Sequence, residues 1–181
     1  MKYVFFGGQE SPFADIMLDG LTLAGFPPIA AVRDAKKPID SVELTALKAD
    51  FFLVAAFAKI LKKDMFSIPR RGIIGVHPSL LPKYRGPSPI QSVLLNNEQE
   101  TGTTIFLIDE KIDHGPILAQ RSLAIAETDT YALLMERLAQ LSVRLCRDAL
   151  PRYLEGGTLQ PVMQNEAKAT HTKKILRLTP K

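Results

Sequence analysis

Two residues in this sequence carry side chains suited to proton transfer and stand beside stiff, shaped turns: His77 and Asp113. His77 opens the run His77-Pro78-Ser79-Leu80-Leu81-Pro82-Lys83-Tyr84-Arg85-Gly86, directly after the strongly apolar Ile73-Ile74-Gly75-Val76. Bounded by Gly72 and Pro78, Ile73 to Val76 reads as a buried strand, which places His77 at its C-terminal end. In an open parallel sheet that edge is where ligands bind. Pro78 and Pro82 stiffen the loop that follows, so it can hold a side chain still. Asp113 lies in the tight connection Asp113-His114-Gly115-Pro116. A histidine and a carboxylate that meet can relay a proton and stabilise developing charge. The two are far apart in sequence, so their pairing requires both loops to reach one sheet edge. Alone, each has an ordinary reading: His77 as a hydrogen-bonded strand end, Asp113 as a turn residue before glycine.

The other reactive side chains offer less. Cys146 is the single cysteine and sits in a helical pattern with Val143, Leu145 and Leu150, which predicts a buried structural thiol rather than a nucleophile. His77, His114 and His171 are scattered, and no metal-ligand cluster is expected.

The elements that must position His77 and Asp113 alternate between strand and helix. Lys2 to Phe6 reads as a strand, and Gly7-Gly8 turns the chain toward a helix with Ser11 as N-cap and Pro12 at its first position, stopping near Gly25. Pro28 to Val32 is a strand, Ser41 to Lys48 a short helix, Asp50 to Ala56 a strand and Ala58 to Ser67 a helix ending before Pro69. After the His77 loop come a helix from Pro89 to Asn96, strands over Thr103 to Ile108 and Pro116 to Ala126, and a long helix capped by Asp129. Pro151 should kink or end that helix, and Gly156-Gly157 marks the turn to a final extended segment. This alternation predicts an α/β fold, a Rossmann-like, largely parallel twisted sheet with helices on both faces. The fuller Gly-x-Gly-x-x-Gly fingerprint is absent, so no dinucleotide is implied.

The 181 residues suit one domain over 1–181, and 46% hydrophobic with 23% charged residues is ordinary for a globular protein. The longest apolar run, Phe51 to Ala58, is far below the ~20 residues needed to span a bilayer, and no signal peptide is expected, so the reading is cytoplasmic with no membrane partner. The net charge of +4 is compatible with an anionic partner. Its one concentration, Lys168, Lys173, Lys174, Arg177 and Lys181, reads as a solvated face before a phosphate-contacting patch.

Several segments in order carry a resemblance. The run from His77 to Gly86, then Pro89-Ile90-Gln91, Glu100-Thr101-Gly102-Thr103-Thr104-Ile105 and Ile112 to Leu118, resembles the catalytic core of the folate-dependent formyltransferases, most of all the methionyl-tRNA branch. Phe5-Phe6-Gly7 with Phe13, and Glu166-Ala167 through Ala169-Thr170 to Lys173-Lys174-Ile175, extend it more weakly. The resemblance implies transfer of a formyl group from 10-formyltetrahydrofolate to a primary amine, without metal. It implies a catalytic trio of Asn-x-His and a later Asp; His77 and Asp113 match, but Gly75 stands where the family has Asn. A glycine there implies a lost oxyanion donor, slower transfer, and space that an ordered water or a restored Asn could use.

The resemblance also assigns the folate pocket to Ala55, Ala56, Phe57, Ala58 and Ile60, largely through backbone groups, and to Asp113, His114 and Gly115. Ser79, Leu80, Leu81, Pro82, Arg85 and Gly86 form the substrate loop, with Leu81-Pro82 a candidate cis bond. Ser79 and Arg85 have local alternatives: a bond within the loop, and a pair with a nearby carboxylate. Three functions follow. One is formylation of initiator methionyl-tRNA, with weakened RNA binding because Arg33-Asp34-Ala35-Lys36-Lys37 is short and the RNA-binding domain that follows in that branch is not found before Lys181. The second is formylation of a small amine such as an amino-sugar nucleotide. The third is folate binding without transfer.

Overall fold

Six runs of apolar residues pair into one sheet in the computed structural model, which describes residues 1–155 and 158–175. The strands are β1 (Tyr3–Gly7), β2 (Ala30–Val32), β3 (Phe51–Ala55), β4 (Ile73–His77), β5 (Glu100–Leu107) and β6 (Ile117–Ala124). Their order across the sheet is β2-β1-β3-β4-β5-β6; the first four are parallel, and β5 and β6 are antiparallel additions at one edge.

Because successive side chains point to opposite faces of a strand, this sheet sorts its apolar residues into two layers. On one face Tyr3, Phe5, Phe51, Leu53, Ile74, Val76 and Ile105 pack against the helices α1 (Pro12–Leu23), α3 (Pro89–Leu95) and α4 (Tyr131–Leu154). On the other, Val4, Phe6, Phe52 and Ile73 meet Leu44 of α2 (Ser41–Ala46) and Met65 of a 3-10 turn, Lys63–Ser67. Helix starts are local: Ser11 Oγ accepts the Ala14 N–H at 3.3 Å, and Asp40 Oδ1 accepts from Val42 at 2.8 Å.

Three expectations need correction. Ala58 to Ser67 is not one helix, since Ala56 takes a positive φ of 48°, Phe57 packs edge-on against Phe6 at 5.6 Å, and Lys59 Nζ donates to the Lys37 carbonyl at 2.7 Å. Those tertiary ties hold the segment open until the 3-10 turn at Lys63. The cap of α4 is Thr130, whose hydroxyl accepts from Leu133; Asp129 instead takes the Ala126 N–H and pairs with Arg137. Pro151 does not end α4, which runs on to Leu154. Its missing donor falls in the last turn, and Arg71 pins that turn, donating to the Leu154 carbonyl at 3.0 Å and accepting from the Tyr153 hydroxyl at 3.2 Å. Gly156, Gly157, Arg177 and Lys181 lie outside the described residues. No helix of the described residues is long and apolar enough to cross a membrane.

Cys146 is fully buried between α4 and the sheet, and burial pushes its thiol up to about 12. A raised thiol stays protonated at pH 8, so the folded protein is expected to resist a disulfide reagent there and to react with one equivalent only after unfolding. Colorimetric thiol counting with and without denaturant checks this, and prompt labelling of the native chain would contradict the packing.

Candidate active site

His77 ends β4 with 6% of its surface exposed, and its Nε2 donates to the carbonyl oxygen of Tyr84 at 2.8 Å. A carbonyl can only accept, so the proton on Nε2 is fixed and Nδ1 is the nitrogen turned elsewhere. The loop curls back to make that bond because it is anchored beneath. The buried Thr104 hydroxyl, opposite His77 on β5, donates to the Ser79 carbonyl at 2.7 Å and accepts from the Leu81 N–H at 3.1 Å and from Gln120 at 2.8 Å. Gln120 also donates to the Leu81 carbonyl at 2.7 Å. The Leu81-Pro82 bond is cis.

Asp113 Oδ2 lies 3.5 Å from His77 Nδ1 and accepts the Gly86 N–H at 2.7 Å. It does not reach His77 from a strand end at the same sheet edge, as the sequence pattern suggested. β5 runs against β4, so Leu107 pairs with Ile74, near the start of β4, and the β5–β6 connection must fold back over one face of the sheet to bring Asp113 to His77. Asp113 itself takes a positive φ of 49° in that turn. Gly115 makes the turn possible, since a Cβ there would lie 1.8 Å from the Leu107 carbonyl oxygen.

The remaining expected site residues divide. Ser79 is buried and donates to the Lys83 carbonyl at 2.7 Å, so it serves its own loop. Arg85 is 2% exposed and turns inward: Nη2 reaches Glu166 at 2.6 Å, and Nε and Nη2 reach Gln164 Oε1 at 3.1 and 2.7 Å. Neither side chain is left for a substrate. Leu81 is buried, while Leu80, Pro82 and Gly86 are partly exposed. His114 is held between carboxylates, with Nδ1 2.6 Å from Asp109 and Nε2 3.5 Å from Glu166, and Gly115 is buried. Ala55 belongs to the core. Ala56 uses its carbonyl on the Gly8 N–H at 3.1 Å. Ala58 and Ile60 are exposed, and neither makes a hydrogen bond to another described residue. Their backbone groups lie open beside the ring of Phe57, which follows the strand next to that of His77.

The space expected over Gly75 does not exist. A Cβ at that position would meet two ring atoms of Phe106 at 2.5 and 2.6 Å and Ile108 at 3.1 Å. Phe106, paired directly with Gly75, fills the volume.

The segment from Gln164 to Thr172 is a participant whose roles the sequence did not disclose. It is stitched to the loop by Arg85 N–H to Thr170 O (2.9 Å), Thr170 N–H to Pro82 O (3.2 Å) and Thr172 N–H to Arg85 O (2.7 Å). Tyr84 N–H also donates to Thr170 Oγ1 at 2.8 Å. The Glu166 carboxyl is held below its ordinary value mainly by hydrogen bonds from Arg85. Burial raises the Tyr84 hydroxyl, whose proton goes to Glu98. Glu166 and Thr170 fell within a recognisable segment; Gln164 carried no signal.

Residues 20–150 match the family model described as formyl transferase. The chain belongs to that family. It is 40% identical over 150 residues to a methionyl-tRNA formyltransferase of Roseiflexus sp. (strain RS-1), covering 83% of this chain and 46% of that one. With the enzyme of the same name from Anaeromyxobacter dehalogenans (strain 2CP-1) it shares 46% over 127 residues, 70% of this chain and 40% of the relative. The chain thus spans about half the length of these relatives or less. Among solved structures, the formyltransferase PseJ from Anoxybacillus kamchatkensis, in complex with tetrahydrofolate and a UDP-linked formamido sugar, superposes with a TM-score of 0.72 at 22% identity, covering 95% of this chain and 85% of that one. That likeness shows the formyltransferase fold.

Thr104→Val keeps the β-branched shape but strands buried partners on the loop, and each such orphan costs about 1–3 kcal/mol. The variant is expected to lose stability in that range by denaturant midpoint, and a midpoint equal to wild type would dismiss the anchor. Gly75→Asn is expected to destabilise by overpacking, about 1–3 kcal/mol. Combined with Phe106→Ala it should cost less than the sum of the two single changes; strict additivity would mean that the ring and the glycine are not coupled.

Proposed function

We propose that this chain transfers a formyl group from 10-formyltetrahydrofolate to a primary amine, with His77 and Asp113 as its catalytic residues. The observation that carries the reading is the pairing of His77 Nδ1 with the Asp113 carboxylate at 3.5 Å while Nε2 is committed to Tyr84. The formylated folate supplies the electrophilic carbon. One C–N bond forms to the amine, one breaks to the folate nitrogen, and one proton passes from the amine to that nitrogen. His77 Nδ1 is the atom through which the proton moves: unprotonated it accepts from the attacking amine, and protonated it donates toward the charge building on the formyl oxygen or to the departing nitrogen. Asp113 stabilises the imidazolium in between. Both are largely withdrawn from solvent, which strengthens these interactions.

For the acceptor, the relatives' names favour initiator methionyl-tRNA. One feature favours a small amine such as an amino-sugar nucleotide instead. Two cationic groups near the β2 and β3 ends are used internally, although Lys36 and Lys37 stay exposed: Arg33 donates to the Gly7 and Gly8 carbonyls at 2.9 Å and pairs with Asp15, and Lys59 donates to the Lys37 carbonyl. The folate-binding protein without transfer is the outcome to which loss of the Asn donor at Gly75 would lead.

Purified protein supplied with 10-formyltetrahydrofolate and, separately, charged initiator tRNA or UDP-linked amino sugars is expected to formylate one acceptor class. His77→Asn should lower the rate by about 10²–10⁴ with reduced-folate affinity retained in calorimetry. Folate binding with no transfer to any amine would favour the binding-only reading, and an unaffected His77→Asn rate would remove the proposed mechanism.

A further inference from the structure

We propose that Gln164 is a positioning residue for Asp113, holding its carboxylate at His77 through a closed ring of hydrogen bonds; the inference rests on the proposed roles of His77 and Asp113. The ring runs from the Asp113 carboxylate to the Gly86 N–H (2.7 Å), through the backbone to Arg85, across its guanidinium to Gln164 Oε1 (2.7 and 3.1 Å), and from Gln164 Nε2 to the Asp113 carbonyl (2.9 Å). The same Nε2 donates to the Gly115 carbonyl at 2.8 Å. Asp113 is thereby held at both ends, by its side chain and by its main chain.

The chemistry at position 164 admits few residue types. A guanidinium only donates and a carbonyl only accepts, so the group between them must accept on one side and donate twice on the other. A primary amide does this with every valence used, and those partners fix which end is oxygen. The side chain is 8% exposed, so water is a poor substitute. A glutamate would keep the shape and the bond to Arg85 but set negative charge against two carbonyl oxygens. An apolar residue would leave guanidinium and carbonyls unpaired.

The ring has work to do because Asp113 sits in the left-handed region, with φ of 49°, where a non-glycine residue persists only when its surroundings over-determine it. Gly86 is equally constrained, with φ of 106° and a hypothetical Cβ 2.9 Å from Thr172 Oγ1. Arg85 is neutralised by Glu166, so the ring imposes direction on Asp113 without adding net charge nearby. A misplacement of about 1 Å at such a site can cost a hundredfold in rate.

The test is a double-mutant cycle in the full chain. Gln164→Glu is expected to lower kcat by about tenfold to a hundredfold and to change KM for the folate by less, because Asp113 acts on the reacting atoms as well as on folate binding. In the Asp113→Asn background the same change should have no further effect. A readout without turnover accompanies it: the NMR signal of the His77 ring at fixed pH should move with Asp113→Asn, move similarly with Gln164→Glu, and not move further in the double variant. Gln164→Met provides a second route should the glutamate variant not fold, with the same expectations. Asp113→Asn at the wild-type rate would overturn the reading of the site and this inference with it. A slow Asp113→Asn with Gln164→Glu at the wild-type rate, or additive effects in the cycle, would overturn the positioning role alone.

Discussion

The Tyr84 carbonyl oxygen is the constraint on which this site turns, because by taking the Nε2 proton of His77 it decides which ring nitrogen faces Asp113. That oxygen is placed by a residue with φ of 61°, held through its own N–H on Thr170 and through its hydroxyl on Glu98. A strand end alone would leave a histidine ring two faces and two tautomers. Here the backbone of a loop seven residues on removes that freedom, and Thr104 beneath keeps the loop from relaxing.

Asp113 arrives by a less economical route. Reversal of β5 sends the chain away from His77, and the connection returns over the sheet, pressed so closely against Leu107 that only glycine fits at 115. The same return covers the face above Gly75 with Ile108, beside the Phe106 ring. One topological choice thus brings in the carboxylate and closes the space next to the histidine.

Much of this was legible in sequence, for identifiable reasons. Apolar and β-branched runs placed the strands, and serine before proline placed the start of α1, because those signals are local. Ala58 to Ser67 misled because Phe57 and Lys59 are claimed by partners far along the chain, which outweigh helical propensity. Ser79 and Arg85 stood in a loop whose pattern suggested ligand contact, and of the two readings open for each, the local one, a bond within the loop and a carboxylate partner, is the contact the structure displays; a side chain's direction is set by which neighbour is buried against it. Gln164 was invisible because one amide among many carries no pattern until Arg85 and Asp113 are seen on either side of it.

The stitching of residues 164–172 across the His77 loop bears on where this folding unit ends. The family match stops at residue 150, and α4 closes at Leu154. A chain cut at that boundary would keep every strand of the sheet and both members of the His77–Asp113 pair. It would also leave a buried guanidinium at Arg85 without its carboxylate or its amide, and Tyr84 without the partner of its N–H. Burying an unpaired charge is among the costliest things a protein can do, so the loop would open to hydrate it. The end of the family match and the end of the hydrogen-bonded structure are therefore different residues here, and the second lies at least as far along as Thr172.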